Sequence, residues 1–271
     1  MRKRTIAAAA VLLAAGIVAA GCSADSKGTE SSGNYLRVGV RTNLDNFSAY
    51  SEEADTYYGF EADLARQLAL TVGYDGVEYV GLAPEERDSA LEKGEVDCLI
   101  AAYSRTEERA EKFSLSQTYY EDAGRVMVER STLFSDYGDL KGALVAVRTG
   151  TTAEENLIRK LQEEGLISGD SPEDAAAFLT IREMDTYDEM NEALEYGQVD
   201  AICADGCITL PWLDDSRVYF EEPYSTEDYV IATAKGSEIT EEVDAALTCN
   251  LENGTVSQLM EKWGVGQDEE E

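Results

Sequence analysis

Histidine is absent from this chain of 271 residues. That excludes a histidine triad, a histidine general base and a histidine-ligated metal. Of five cysteines, no two have the Cys-x-x-Cys spacing of a structural zinc site. Basic residues are scarce: 22 Lys and Arg stand against 55 Asp and Glu, a formal net charge of −33. Nucleic acid and anionic membrane surfaces would be repelled as bulk partners. Against such a background, an arginine beside a cleft is a specific feature. Residues 23–33 hold no apolar side chain larger than alanine, so residues 22–34 read as a flexible tether.

What is present begins with a targeting signal over residues 1–21. Arg2-Lys3-Arg4 is its basic start, and residues 6–20 are its apolar stretch, too short and alanine-rich for a membrane span. Ala19-Ala20-Gly21-Cys22 resembles the bacterial lipobox, which implies lipidation of Cys22 and a membrane anchor. At the other end, residues 266–271 read as a solvated acidic tail. The folded part between them is long enough for two lobes, each with its own core.

One stretch occurs twice. Ala90-Leu91-Glu92-Lys93-Gly94-Glu95-Val96-Asp97-Cys98-Leu99-Ile100-Ala101 returns as Ala193-Leu194-Glu195-Tyr196-Gly197-Gln198-Val199-Asp200-Ala201-Ile202-Cys203-Ala204. Each copy reads as a helix end, a glycine stop and a buried strand. Cys98 and Cys203 sit near equivalent places and read as small buried hydrophobes. Cys207 and Cys249 are left as a possible pair outside the cell. Ligands of open α/β sheets bind beyond the carboxyl ends of strands, so two such units suggest two lobes facing one cleft.

Periodicity fills in the rest. Residues 36–40, 77–80, 126–128, 144–147 and 229–233 read as strands. A polar loop is expected up to Tyr58. Helices are expected from Gly59-Phe60 to Gly73, from Pro84, and over residues 153–164, 187–196, 241–251 and 256–263. Thr152 and Glu155 have capping-box spacing. Alternation of strand and helix implies an α/β fold with mostly parallel sheets.

Several motifs then fall in order. Gly59-Phe60-Glu61-Ala62-Asp63-Leu64-Ala65 is similar to the Gly-Phe-Asp-x-Asp-Leu-Ala motif of amino-acid-binding proteins of ABC importers. Tyr103-Ser104-Arg105-Thr106-Glu107-Glu108-Arg109 resembles their Ser-x-Thr-x-x-Arg loop, and Gly150-Thr151-Thr152-Ala153-Glu154 their Gly-Thr-Thr turn. Val199-Asp200-Ala201 with Asp205, Asn253-Gly254-Thr255 and Lys262-Trp263-Gly264 complete the set. Over residues 36–265 the chain resembles family 3 of the substrate-binding proteins, most of all glutamate-binding lipoproteins of Gram-positive bacteria. The resemblance implies a two-lobed, hinge-linked periplasmic-binding-protein type II fold. Residues 35–125 and 225–265 would form one lobe and residues 126–224 the other, with crossings near residues 121–125 and 223–229. It implies a monomer that delivers an L-amino acid to an ABC permease, at the outer face of the membrane or in the periplasm, with no cofactor and no metal.

The chemistry of each residue agrees with that reading. Arg109 can fork onto an α-carboxylate. Thr151 and Thr152 stand at a helix start that favours an anion. Ser104 offers a hydroxyl, and Asp205 a counter-ion for the ammonium. Phe47, where the family's Pro-Phe is Asn46-Phe47, and Tyr103 are candidate cleft residues. Glu61 and Asp63 read as acids that suit the first turn of a helix. Arg41 occupies the place where binders of basic amino acids keep an Asp. With Arg105 and Arg148 it suggests an acidic ligand, glutamate or aspartate. Glutamine, cystine, or an enzyme on the same fold resembling cyclohexadienyl dehydratase are the alternatives.

Overall fold

The computed structural model describes residues 33–266. The signal segment, Cys22, most of the tether and the last five residues of the tail lie outside the described residues. Among the described residues, twelve strands and nine α-helices follow in this order: β1 (Tyr35–Val40), β2 (Asn43–Leu44), β3 (Ser48–Ser51), β4 (Thr56–Tyr58), α1 (Phe60–Val72), β5 (Gly76–Gly81), α2 (Arg87–Glu92), β6 (Cys98–Leu99), α3 (Glu107–Lys112), β7 (Phe113–Glu129), β8 (Leu144–Arg148), α4 (Ala153–Glu163), α5 (Pro172–Ala176), β9 (Thr180–Met184), α6 (Tyr187–Glu195), β10 (Ala201–Asp205), α7 (Gly206–Thr209), β11 (Arg217–Tyr219), β12 (Ser225–Ala234), α8 (Thr240–Glu252) and α9 (Thr255–Trp263).

Nine strands form one continuous sheet in the order β5-β1-β6-β12-β7-β10-β8-β9, with β11 beside β7. Its two ends are parallel: β1 pairs with β5 and β6, and β8 with β9 and β10. Its middle is antiparallel, where β12 runs against both β6 and β7. The mostly parallel pattern thus holds within each end, and the two ends are joined by two long antiparallel strands. Residues 120–124 of β7 lie against residues 225–229 of β12, with Tyr120 opposite Tyr229 and Gly124 opposite Ser225.

The repeated segment is a repeated structure. α2 and α6 both end before a glycine with positive φ, Gly94 at 69° and Gly197 at 62°. Each copy's aspartate then ties down the neighbouring strand. Asp97 Oδ2 accepts from Arg37 N–H at 2.9 Å, and Asp200 Oδ2 from Leu144 N–H at 2.8 Å. In return, Asp97 N–H donates to the Arg37 carbonyl and Asp200 N–H to that of Leu144. The same acid therefore sets the register of β1 with β6 and of β8 with β10.

Apolar periodicity places the cores. Leu64, Ala65, Leu68 and Ala69 of α1 are buried against Leu36, Val38 and Val40 of β1. Complete burial of such side chains stabilises by about 1.5–3 kcal/mol for each leucine or valine. Leu157 and Leu161 of α4 pack on Val145 and Val147 in a second core. A third holds Leu91, Leu99, Tyr103 and Val230.

Three local expectations are corrected. The loop before Tyr58 contains a small antiparallel sheet, β2-β3-β4, whose short strands carry too few apolar residues to show a period. The strand expected at residues 126–128 begins at Phe113, because β7 crosses the whole middle of the sheet and changes its buried face on the way. Thr152 makes no side-chain cap on α4. Its hydroxyl turns to Glu227 at 3.4 Å instead, and Thr151 Oγ1 accepts from Ala153 N–H at 3.4 Å.

Candidate functional site

Arg41 follows the last residue of β1, Ser104 lies beyond β6, Thr151 and Thr152 follow β8, and Asp205 ends β10. The candidates thus emerge from carboxyl ends of the two parallel three-stranded groups. Ser104 also bridges to Tyr229 of β12, so its loop is held against the middle of the sheet.

The basic side chains gather, though not as expected. Arg41 is buried at 2% exposure, with its guanidinium 5.6 Å from the centre of the Tyr187 ring. Arg109 is half-buried, lies 4.0 Å over the Tyr103 ring, and donates from Nη1 to the Ser104 carbonyl at 2.6 Å. Arg105 and Arg148 do not join them. Arg105 is exposed and donates to the Ser116 carbonyl. Arg148 pairs with Glu85 at 3.2 Å and donates to the Thr149 carbonyl at 2.8 Å.

Their place is taken by Arg87, which the sequence reading passed over. It is 2% exposed and donates only to backbone: Pro84 O at 3.0 Å, Ala101 O at 2.9 Å, Ala102 O at 2.8 Å and Gly150 O at 3.1 Å. Burial, then the neighbouring Arg109 and Arg41, push its pKa down to about 9, which leaves it charged at neutral pH. A signal existed. Arg87, Ala90 and Leu91 share the buried face of α2 at helical spacing, so an arginine stood at a core position. Among the described residues, Arg41, Arg87 and Arg109 form no ion pair.

Acids face this group. Asp205 accepts from Tyr229 O–H at 2.5 Å. Burial, then Glu227 and Asp122, push its pKa well above the usual carboxylate range, against the pull of Tyr229 and Arg87. Asp122 Oδ2 accepts from Cys207 N–H at 3.0 Å. Glu227 is 2% exposed and accepts from Asn156 at 2.8 Å and Ser225 at 2.6 Å. It too was missed, although it alternates with the buried Tyr229 and Ile231 along β12. Thr151 Oγ1 donates to the Arg148 carbonyl at 2.8 Å.

Two further candidates, Phe47 and Tyr103, are buried. Phe47 is 2% exposed and packs edge-on against Phe60, Tyr120 and Tyr229. Tyr103 is fully buried, carries Arg109 and Arg87 on its ring, and donates to Asp88 at 2.8 Å. Cys207 and Cys249 are both free thiols, and the Cys207 sulfur lies 3.5 Å from Tyr229 Oη. Asp63 is structural as expected, bound to Arg66, Lys262 and Trp263. Glu61 is not an ordinary helix-start acid, since it is completely buried. Among the described residues, no cluster of three or more His, Cys, Asp or Glu is arranged for a metal ion, and no helix is long and apolar enough to cross a membrane.

A cavity of about 860 Å³ opens beside β7, lined by Phe47, Asp122, Cys207 and Tyr219 among others. Another of about 700 Å³ lies beside β12, lined by Arg105, Asn156, Arg159 and Glu227 among others. Neither is lined by Arg41, Arg87, Arg109 or Asp205; Arg41 and Arg87 are buried, and Arg109 and Asp205 are half-buried.

Two parallel three-stranded groups joined by antiparallel crossing strands, with polar groups at their carboxyl ends, define the two-lobed type II periplasmic-binding-protein fold. An ancestral arginine-binding protein bound to arginine matches it with a TM-score of 0.72 and 28% identity, over 85% of this chain and 98% of that one. Residues 36–168 match the sequence pattern of the bacterial extracellular solute-binding proteins, family 3. The ABC transporter glutamine-binding protein GlnH of Bacillus subtilis (strain 168) is 26% identical over 231 residues, 83% of this chain and 79% of that protein. The arginine-binding extracellular protein ArtP of the same strain is 26% identical over 248 residues, 91% and 92% of the two chains. The chain belongs to the family 3 extracellular solute-binding proteins.

Proposed function

We propose that this protein captures an acidic L-amino acid, glutamate or aspartate, and delivers it to an ABC permease. Residues 35–125 and 225–265 form one lobe, residues 126–224 the other, and the paired segments of β7 and β12 are the hinge. Lipidated Cys22 tethers the monomer to the membrane, on the extracellular or periplasmic side. Relatives named as glutamine-binding and arginine-binding support an amino acid as the cargo. Their naming as binding proteins supports capture without turnover.

One observation carries the acidic reading. Arg41 and Arg87 are both buried, and among the described residues neither hydrogen-bonds to a carboxylate, although the buried Glu61 lies within electrostatic reach of both. A buried guanidinium held only by neutral groups gains most from an anion. Arg109, with Ser104 and the Thr151–Thr152 turn, is assigned to the α-carboxylate, and Asp205 to the ammonium. Arg41 and Arg87 remain for a second carboxylate. An arginine ligand would place like charges together, which costs binding.

The experiment is calorimetry with glutamate, aspartate, glutamine, lysine and arginine on wild type and Arg41→Asp. Wild type should prefer the acids, and Arg41→Asp should turn the preference toward lysine and arginine. A wild type that prefers lysine, arginine or a neutral amino acid refutes the acidic reading and leaves the amino-acid receptor standing.

A further inference from the structure

Glu61 is 0% exposed, an unusual depth for a carboxyl group. One oxygen is fully used: Oε1 accepts from Ala102 N–H at 2.7 Å and from Tyr119 O–H at 2.5 Å. The other, Oε2, is buried and has no hydrogen-bond partner among the described residues. Arg41 Nε is buried in the same condition. Burial holds the Glu61 pKa above the usual carboxylate value, against the opposing pull of Tyr119, Ala102, Arg41 and Arg87, so both guanidiniums are within electrostatic reach.

Ala102 is the second link. Its φ is 47°, a left-handed conformation that costs a non-glycine residue about 1–2 kcal/mol. Its two peptide groups are gripped from opposite sides: Glu61 takes the N–H, and Arg87 Nη1 donates to the carbonyl at 2.8 Å. Two residues later comes Ser104. Glu61 thus touches the turn that carries a ligand loop and offers negative charge to the two arginines behind it.

We infer that Glu61 is a positioning and selectivity residue. It holds the Ala102 turn beneath Ser104, and its uncommitted oxygen offsets part of the charge of Arg41 and Arg87. Two guanidiniums against one carboxylate leave a single net positive charge for the ligand's side chain. Glu61 therefore limits how far the site favours a carboxylate over the matching amide. This inference rests on Arg41 and Arg87 facing the ligand's side chain.

The test compares glutamate with glutamine by calorimetry on wild type, Glu61→Gln and Glu61→Asp. Glu61→Gln keeps an oxygen for Ala102 and Tyr119 and removes the charge. The ratio of glutamate to glutamine affinity should rise roughly tenfold or more. A ratio within about twofold of wild type overturns the charge role, because a purely structural residue would change both affinities together. Glu61→Asp keeps the charge and loses reach to Ala102. It should weaken both ligands and leave their ratio in place; a large change of ratio there also overturns the inference. A wild type that prefers glutamine refutes the acidic reading alone, since removal of the Glu61 charge should still bring glutamate in.

Discussion

Gly150 offers a direct test of lobe closure. It has φ 75°, and its carbonyl accepts from Arg87 Nη2 at 3.1 Å. A Cβ placed there would lie 2.6 Å from Glu85 N and 2.7 Å from Glu85 Cα, both backbone atoms. No side-chain rotation relieves that contact, so Gly150→Ala must part the turn after β8 from the segment before α2. Arg148 and Glu85, paired at 3.2 Å, would separate with it. The charged hydrogen bond is worth about 1.5–3 kcal/mol. The ion pair, with Glu85 largely exposed, adds about 0.5 kcal/mol. Closure should lose about 2–4 kcal/mol, a fall in ligand affinity of roughly 30- to 1,000-fold. Left-handed alanine separately costs about 1 kcal/mol of folding stability. Gly142→Ala is the control, for Gly142 has φ 82° and nothing within 4 Å of an added Cβ. Both variants should melt slightly early, and only Gly150→Ala should bind weakly by calorimetry and stay extended with ligand in small-angle scattering. Equal affinities in the two variants would refute the closure argument.

Three further outcomes are expected. Arg109→Ala should fold and lose about 2–5 kcal/mol of binding, the scale for truncating one partner of a buried charge pair, read by calorimetry beside a thermal melt. Asp205→Asn should weaken amino acids far more than their des-amino analogues. Because burial, then Glu227 and Asp122, raise the folded pKa of Asp205, its ionised form destabilises the ligand-free fold above that pKa, and the penalty vanishes below the unfolded pKa. The Asn variant should therefore melt later than wild type near neutral pH, with the gain gone below about pH 4. Asp63 has the opposite sign. Burial raises its pKa, but hydrogen bonds from Lys262 and Trp263 outweigh this and hold it below the usual value. Its contribution is present above the unfolded pKa and lost as pH falls through the folded one, so Asp63→Asn should cost under about 1 kcal/mol at pH 7 and nothing near pH 2 in urea titrations.

The elements that the sequence made legible are those built from local rules. The helix from Phe60 stands on a period of buried residues between Gly59 and Gly73, both at positive φ. The duplicated strand announced itself because each copy needs the same three things: a helix end, a left-handed glycine, and an aspartate to grip the next strand. Arg109 was singled out by its place in the Ser104–Arg109 motif, and Asp205 by following the second copy directly.

Long-range packing decided the rest. Nothing local distinguishes Arg41, whose guanidinium ends beside Tyr187, from Arg148, which is drawn to Glu85; both stand at the carboxyl end of a strand. Arg87 stands on the apolar face of α2 and Glu61 at the start of α1, but what they hold is set only when those helices pack against residues 101–104, where Arg87 takes the carbonyl and Glu61 the N–H of Ala102. β7 hid because a strand that crosses from one core to another buries different faces along its length, so no single period describes it. Local periodicity reports which face of an element is buried. Which charge meets which is set by segments dozens of residues apart, and only the tertiary structure brings those together.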